Sequence, residues 1–225
     1  DTPDDFFLER IEGVPCPPRG LVLPEFIADV HVSEACVYVP GQPVTVWYDP
    51  GYDHAAALEV TQYIAGQVRV FTEIYERGWT IDQVIDHAIA QPWWVDVRHG
   101  VIDVAGTYHG GQQTPVSEVW LSRTGLYMRG QKVGIYEGTA RFKSFLKMDD
   151  ATHQPKMIFS PDCKGLISEL GGGLSPIDNQ MHVYRWNVDR EGNAVGTVPL
   201  DRWNDAVKAV VYGLVDRFGY VTVRA

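Results

Sequence analysis

Three aspartates stand where a carboxylate could act on a substrate. Asp49 ends the run Val44-Thr-Val-Trp-Tyr-Asp49, directly before Pro50-Gly51. Asp103 sits in Val101-Ile-Asp103-Val-Ala, before Gly106, and Asp205 lies in Trp203-Asn-Asp205-Ala-Val-Lys, within the last long apolar stretch. Each alone has an ordinary explanation. Asp-Pro-Gly is turn chemistry, with Pro fixing φ and Gly tolerating a positive one. Asp103 can be a solvated strand end, and Asp205 can face a helix dipole, worth about 0.3–1 kcal/mol. Brought together, the three would repel one another unless cations sat between them, and oxygen-only ligands favour Mg2+ or Mn2+. Two such ions, about 3.5–4 Å apart, can activate a water and stabilise the leaving oxygen of a phosphodiester.

The elements that would have to bring them together can be read from pattern. Side-chain alternation puts Val44, Val46 and Tyr48 on one strand face and Thr45, Trp47 and Asp49 on the other. Two further strand-like runs, roughly 56–65 and 67–75, are split by Gly66 as in a hairpin. Ile81, Val84, Ile85, Ala88 and Ile89 recur at helical spacing behind Thr80 as N-cap. A short buried strand over 101–105, a helix over 137–146 and a strand over 157–160 follow. A helix over 161–170, a strand over 182–186 and a long apolar helix from Leu200 to near Gly219 complete the chain. In that last helix Ala206, Ala209 and Gly213 form a stripe of small residues that allows close approach to a sheet. Trp203, Val207, Val210 and Leu214 form a separate bulky stripe.

Three antiparallel-type strands followed by alternating helices and strands predict an α/β domain, an RNase H-like mixed sheet with helices on both faces. In such a sheet the first and fourth strands are neighbours and the last helix can cross them. That arrangement would gather Asp49, Asp103 and Asp205. Residues 1–40 hold six of the 14 prolines and read as an extended arm or linker, with the domain itself over 41–225.

Composition limits the alternatives. With 225 residues, 45% apolar and 21% charged, the chain can bury a proper core. No apolar run nears the roughly 20 residues of a membrane helix, and no secretion signal opens the chain. Cys16, Cys36 and Cys163 suggest neither a disulfide framework nor a zinc site, so a reducing cytoplasm is the simplest setting. A formal charge of −10 argues against tight non-specific nucleic-acid binding by the whole chain, yet clustered carboxylates are what a divalent-metal site requires. Gly171-Gly-Gly173 lacks the arrangement of a phosphate-cradling loop.

Asp49-Pro-Gly-Tyr, Val101-Ile-Asp103-Val-Ala-Gly, Phe159-Ser-Pro-Asp-Cys-Lys-Gly-Leu-Ile-Ser-Glu-Leu and Trp203-Asn-Asp205-Ala-Val-Lys-Ala-Val-Val-Tyr occur in that order. Together they resemble the C-terminal nuclease domain of the large terminase subunit of tailed bacteriophages, over roughly 20–220. The resemblance implies a two-metal endonuclease that cuts double-stranded concatemeric viral DNA during packaging, with Asp49, Asp103 and Asp205 as metal ligands. It implies an N-terminal ATPase motor, a small terminase subunit and a portal protein as partners, in the cytoplasm of the bacterial host. Two departures stand out. Asn204 precedes Asp205 where the family often has adjacent acidic residues, and no Walker motif is present, so the chain reads as an excised nuclease domain.

Further residues bear on the same site. Arg123, Arg129, Lys132, Arg141, Lys143 and Lys147 form the densest basic region; solvated helix faces explain it, and Arg141, Lys143 and Lys147 are the candidate phosphate contacts if DNA is the substrate. His54 and Asp53 follow the Asp49 turn closely enough to support the site, and His99 and His109 flank Asp103. The competing reading is a docking module with the nuclease fold, weak or no catalysis, and contact with portal or motor as its main task. Asn204 and the acidic charge favour it.

Overall fold

The computed structural model describes residues 20–108, 114–149, 152–189, 195, 196 and 198–221. Cys16, His109 and residues 1–19 of the arm lie outside them.

The chain enters through a single helical turn, α1 (Ala28–His31), and then forms β1 (Val44–Asp49), β2 (Ala55–Ile64) and β3 (Gln67–Arg77) as an antiparallel meander. Ala65 and Gly66, both at positive φ, close the β2–β3 hairpin. α2 (Ile81–Ile89) starts in a capping box: the Thr80 hydroxyl accepts from the Gln83 N–H while the Gln83 side chain accepts from the Thr80 N–H. A 3-10 turn leads to β4 (Val97–Asp103), and α3 (Val116–Thr124), β5 (Met128–Gln131), α4 (Ile135–Leu146), β6 (Met157–Phe159), α5 (Lys164–Glu169) and α6 (Asp205–Phe218) follow.

The six strands form one sheet in the order β5-β4-β1-β2-β3-β6, with β4, β5 and β6 parallel to their neighbours. The predicted adjacency of the first and fourth strands is present. Side-chain alternation divides the core into two layers. Val44, Val46, Tyr48, Leu58 and Ile102 pack under α2 and α3, against Val84, Ile85 and Trp120. Trp47, Ala57 and Val101 face the other way, under α4, α5 and α6, with Phe142, Leu166 and Val210. Helices therefore cover both faces.

α6 lies across β1, β2 and β4. The small stripe does what its spacing predicts: a Cβ at Gly213 would run into the indole of Trp47, so only glycine lets the helix come this close. Several elements differ from the sequence reading. The 182–186 segment is not a ladder strand but makes a single bridge, Arg185 to Leu21. α6 begins at Asp205 rather than Leu200, because Trp203 sits at φ 56° and turns the chain before the helix starts. The arm is no such difference: it reads as packed on the domain, and in its described part Val22, Leu23 and Phe26 are buried in the core. α3 and β5 carry no counterpart in the sequence reading. No helix among the described residues is long and apolar enough to cross a membrane.

Candidate active site

β1 and β4 run parallel, and Tyr48 is paired with Ile102. One residue further on, Asp49 and Asp103 stand side by side at the carboxyl ends of adjacent strands, on the face that α6 covers. Parallel neighbours lie about 4.8 Å apart, so the ladder alone brings these two carboxylates together. α6 places its first residue, Asp205, over the β1–β2 turn. Gly51 shapes that turn. A side chain there would collide with the Ala55 carbonyl and the His54 ring, so glycine lets the loop fold tightly enough for His54 Nδ1 to reach Asp205 Oδ1 at 2.8 Å.

The electrostatics follow from burial. Asp49 is 8% exposed, and desolvation pushes its carboxyl up to about 8. The Lys208 ammonium pulls it back, while the charges of Asp205, Asp103 and Asp201 push it further up. Asp205 is also raised, first by burial, against the opposing pull of His54 and Lys208. Lys208 is held charged: burial works against it, but the hydrogen bond to Asp201 Oδ1 at 2.8 Å and the charges of Asp49, Asp201 and Asp205 outweigh that. Asp103 accepts from the Ala105 N–H at 2.7 Å through one oxygen and from the Tyr212 hydroxyl through the other.

Lys208 and Tyr212 were missed in the sequence. They lie three and seven residues after Asp205, which puts all three on one stripe of α6, so the signal was available once Asp205 was singled out. His54 sits directly against Asp205, whereas Asp53 lines the pocket beside it. His99 is elsewhere: its Nε2 pairs with Asp216 Oδ2 at 2.9 Å, toward the far end of α6. Asn204 is buried, and its amide donates to Asp201 Oδ1 at 3.2 Å.

Of the predicted phosphate contacts, Arg141 donates to the carbonyls of Phe218, Gly219 and Tyr220 and so caps the end of α6. Lys143 lies 3.8 Å from Glu25, and Lys147 is exposed. None of the three is at the carboxylates. The cations near them belong to an open pocket of about 360 Å³, lined by Asp53, His54, Arg77, Arg202, Trp203 and Lys208, among others. Trp203 stacks on His182 at 3.6 Å between ring centres, nearly parallel.

The donor chemistry suits a hard divalent cation. Asp49, Asp103 and Asp205 supply only oxygen. Burial is the main reason the Asp49 carboxyl is raised, and the charges of Asp205 and Asp103 add an excess of negative charge that a cation would relieve. Among the described residues no three His, Cys, Asp or Glu side chains are already drawn together tightly enough to enclose an ion. His54 and Tyr212 hold the carboxylate oxygens of Asp205 and Asp103 meanwhile.

No family model and no curated protein sequence matches the chain. Solved structures do. The large terminase of a thermophilic bacteriophage, in complex with ATP-gamma-S, superposes with a TM-score of 0.65 at 13% identity, over 95% of this chain and 49% of that one. The nuclease domain of the P22 large terminase matches with a TM-score of 0.59 at 10% identity, over 89% of this chain and 94% of the other. The large terminase nuclease of the thermophilic phage G20c with bound cobalt matches with a TM-score of 0.53 at 14% identity, over 88% and 98%. This chain thus has the fold of large terminase nuclease domains, an RNase H-like mixed α/β sheet. It spans about half the length of the large terminase that holds ATP-gamma-S.

Proposed function

We propose that this chain is the nuclease domain of a large terminase, a divalent-metal-dependent endonuclease that cleaves double-stranded concatemeric viral DNA during genome packaging. One observation carries the reading: Asp49 and Asp103 end adjacent parallel strands and Asp205 faces them from the start of α6. The shared fold supports it, and the cobalt held by the G20c nuclease supports divalent metal use. Asp49, Asp103 and Asp205 would hold two Mg2+ or Mn2+ ions, which when bound would activate water and neutralise charge on the leaving oxygen.

The chain's own residues do the rest. Burial favours the protonated form of Asp49 in the metal-free chain, so a cation bound there would displace that proton and meet a carboxylate little screened by water. Lys208 balances part of the negative charge and can contact a phosphate oxygen. His54 orients Asp205, and Tyr212 orients Asp103. The pocket with Arg77 and Arg202 would receive the DNA backbone beside the carboxylates, and Arg141, Lys143 and Lys147 would meet it further along. In the whole protein, the 1–40 arm would connect to an ATPase motor, the small terminase subunit and portal would be partners, and the bacterial cytoplasm would be the setting.

A second reading has its own support. With Asp103 and Asp205 engaged by Tyr212 and His54, the chain could serve as a docking module with weak or no catalysis. Plasmid cleavage decides between them. Supercoiled DNA should be nicked and linearised with Mg2+ or Mn2+ and spared in EDTA. An Asp103→Ala protein should lose activity by about 100-fold or more. Equal cleavage by that variant would reject the site, and no cleavage by the parent chain or the full-length protein would leave the docking reading.

A further inference from the structure

α6 begins without a cap of its own. The Asn204 side chain makes no capping bond, because its amide is turned to Asp201. The first N–H groups of a helix must find partners elsewhere, and here they find them on α5. Glu169 is 1% exposed. Its Oε2 accepts from the Val207 N–H at 2.9 Å, and its Oε1 accepts from the Ala206 N–H at 3.2 Å and from the Tyr75 hydroxyl at 2.9 Å. The Glu169 carbonyl in turn accepts from the Tyr184 N–H at 2.9 Å, which ties its backbone to the segment that leads into α6.

We propose that Glu169 is the positioning residue for Asp205, acting through the first turn of α6. What it positions rests on the nuclease reading; the contact itself does not. A carboxylate that takes two successive N–H groups fixes both the height of the helix over the sheet and its rotation. Rotation decides whether Asp205 points at Asp49 and His54 or past them. Tyr75 holds the carboxylate from β3, so the registration runs from the sheet through Glu169 into the helix. A serine or aspartate at position 204 would satisfy the same N–H groups from within the helix, but would not tie its start to β3 and α5.

Glu169→Gln tests this with little change of shape. The amide NH2 cannot accept from a helix N–H, so one of the two N–H groups loses its partner. Exchange of the Ala206 and Val207 amides should quicken by about tenfold. The His54 ring resonances should move, because their partner Asp205 has shifted. Mn2+ affinity should fall roughly tenfold, as for other groups that orient metal ligands, and cleavage should fall with it, while DNA affinity in EDTA stays at the parent value. Tyr75→Phe keeps both helix bonds and should shift the same readouts in the same direction by less; it also serves if the glutamine variant does not fold. Unchanged exchange, or quickened exchange with His54 resonances and Mn2+ affinity at parent values, would overturn the proposal. A parent protein that neither binds Mn2+ nor cuts DNA would sink the nuclease reading, and amide exchange with the His54 resonances would then decide the positioning alone.

Discussion

Glu59 lies on the site face of β2, paired across the strands with Trp47 on one side and Glu73 on the other. It is fully buried, and neither carboxylate oxygen has a hydrogen-bond partner among the described residues. Burial, with the charges of Glu73 and Glu169 adding to it, raises its carboxyl well above the ordinary 4.5. The folded chain therefore keeps the proton after the unfolded chain has released it. Stability from this group is complete below about pH 4.5 and is lost as pH rises toward its folded-state value. Glu59→Gln, which cannot ionise, should match the parent near pH 4.5 and exceed it at pH 8 by about 1–3 kcal/mol. Urea unfolding at the two pH values reads this directly, and parallel curves would show that Glu59 is not protonated in the fold. The contrast with the three aspartates shows what a sequence makes visible. Asp49, Asp103 and Asp205 mark the ends of recognisable elements beside Pro, Gly and a helix start. Glu59 and Glu169 look like ordinary residues of a strand and a helix; their roles arise only from what packs over them.

At the scale of elements, α6 decides where Asp205 lies, and Gly213 decides how close α6 comes. Gly213→Ala gains about 1 kcal/mol of helix propensity, but its methyl group meets the Trp47 indole in a packed core. Overpacking of that kind costs about 1–3 kcal/mol; less the propensity gain, the variant should be less stable than the parent by up to about 2 kcal/mol. A lower urea midpoint at unchanged slope is the expected result; parent stability would mean that Trp47 has room to turn aside. The meander, α2 and α6 were legible because their patterns are long and their caps strong, as in Thr80 with Gln83. β5 is four residues with a glycine inside, and only pairing with β4 makes it a strand. The 182–186 run has strand composition, yet it passes beside α5 and α6 and joins no ladder, an outcome set by tertiary packing. The start of α6 was misplaced because Trp203 adopts a left-handed conformation that its residue type does not announce.

The whole molecule carries a formal charge of −10 and must still approach a polyanion if it cuts DNA. Two groups of its cations bear on how DNA would lie. Arg77, Arg202 and Lys208 stand beside the carboxylates, while α4 carries Arg141 and Lys143, with Lys147 just past its end, toward the opposite end of α6. That helix has 14 residues and so runs for about 21 Å, a span that covers roughly a dozen duplex charges at one per about 1.7 Å. The two groups should contribute unequally. Arg77 and Arg202 have no ion pair among the described residues, whereas Arg141 is committed to backbone carbonyls and Lys143 faces Glu25. Each phosphate contact adds about 0.9 to the slope of log affinity against log salt. Reversing Arg77 and Arg202 to glutamate should therefore flatten that slope by about 2, and reversing Lys143 and Lys147 by about 1, chiefly through exposed Lys147. Titrating a short duplex in EDTA between about 50 and 200 mM salt, the range over which such contacts are lost, separates the cases. An untouched affinity after the α4 reversal would place every phosphate contact at the pocket. An untouched affinity after the pocket reversal would mean that the duplex does not lie beside Asp49, Asp103 and Asp205, and the nuclease assignment of those residues would fall with it.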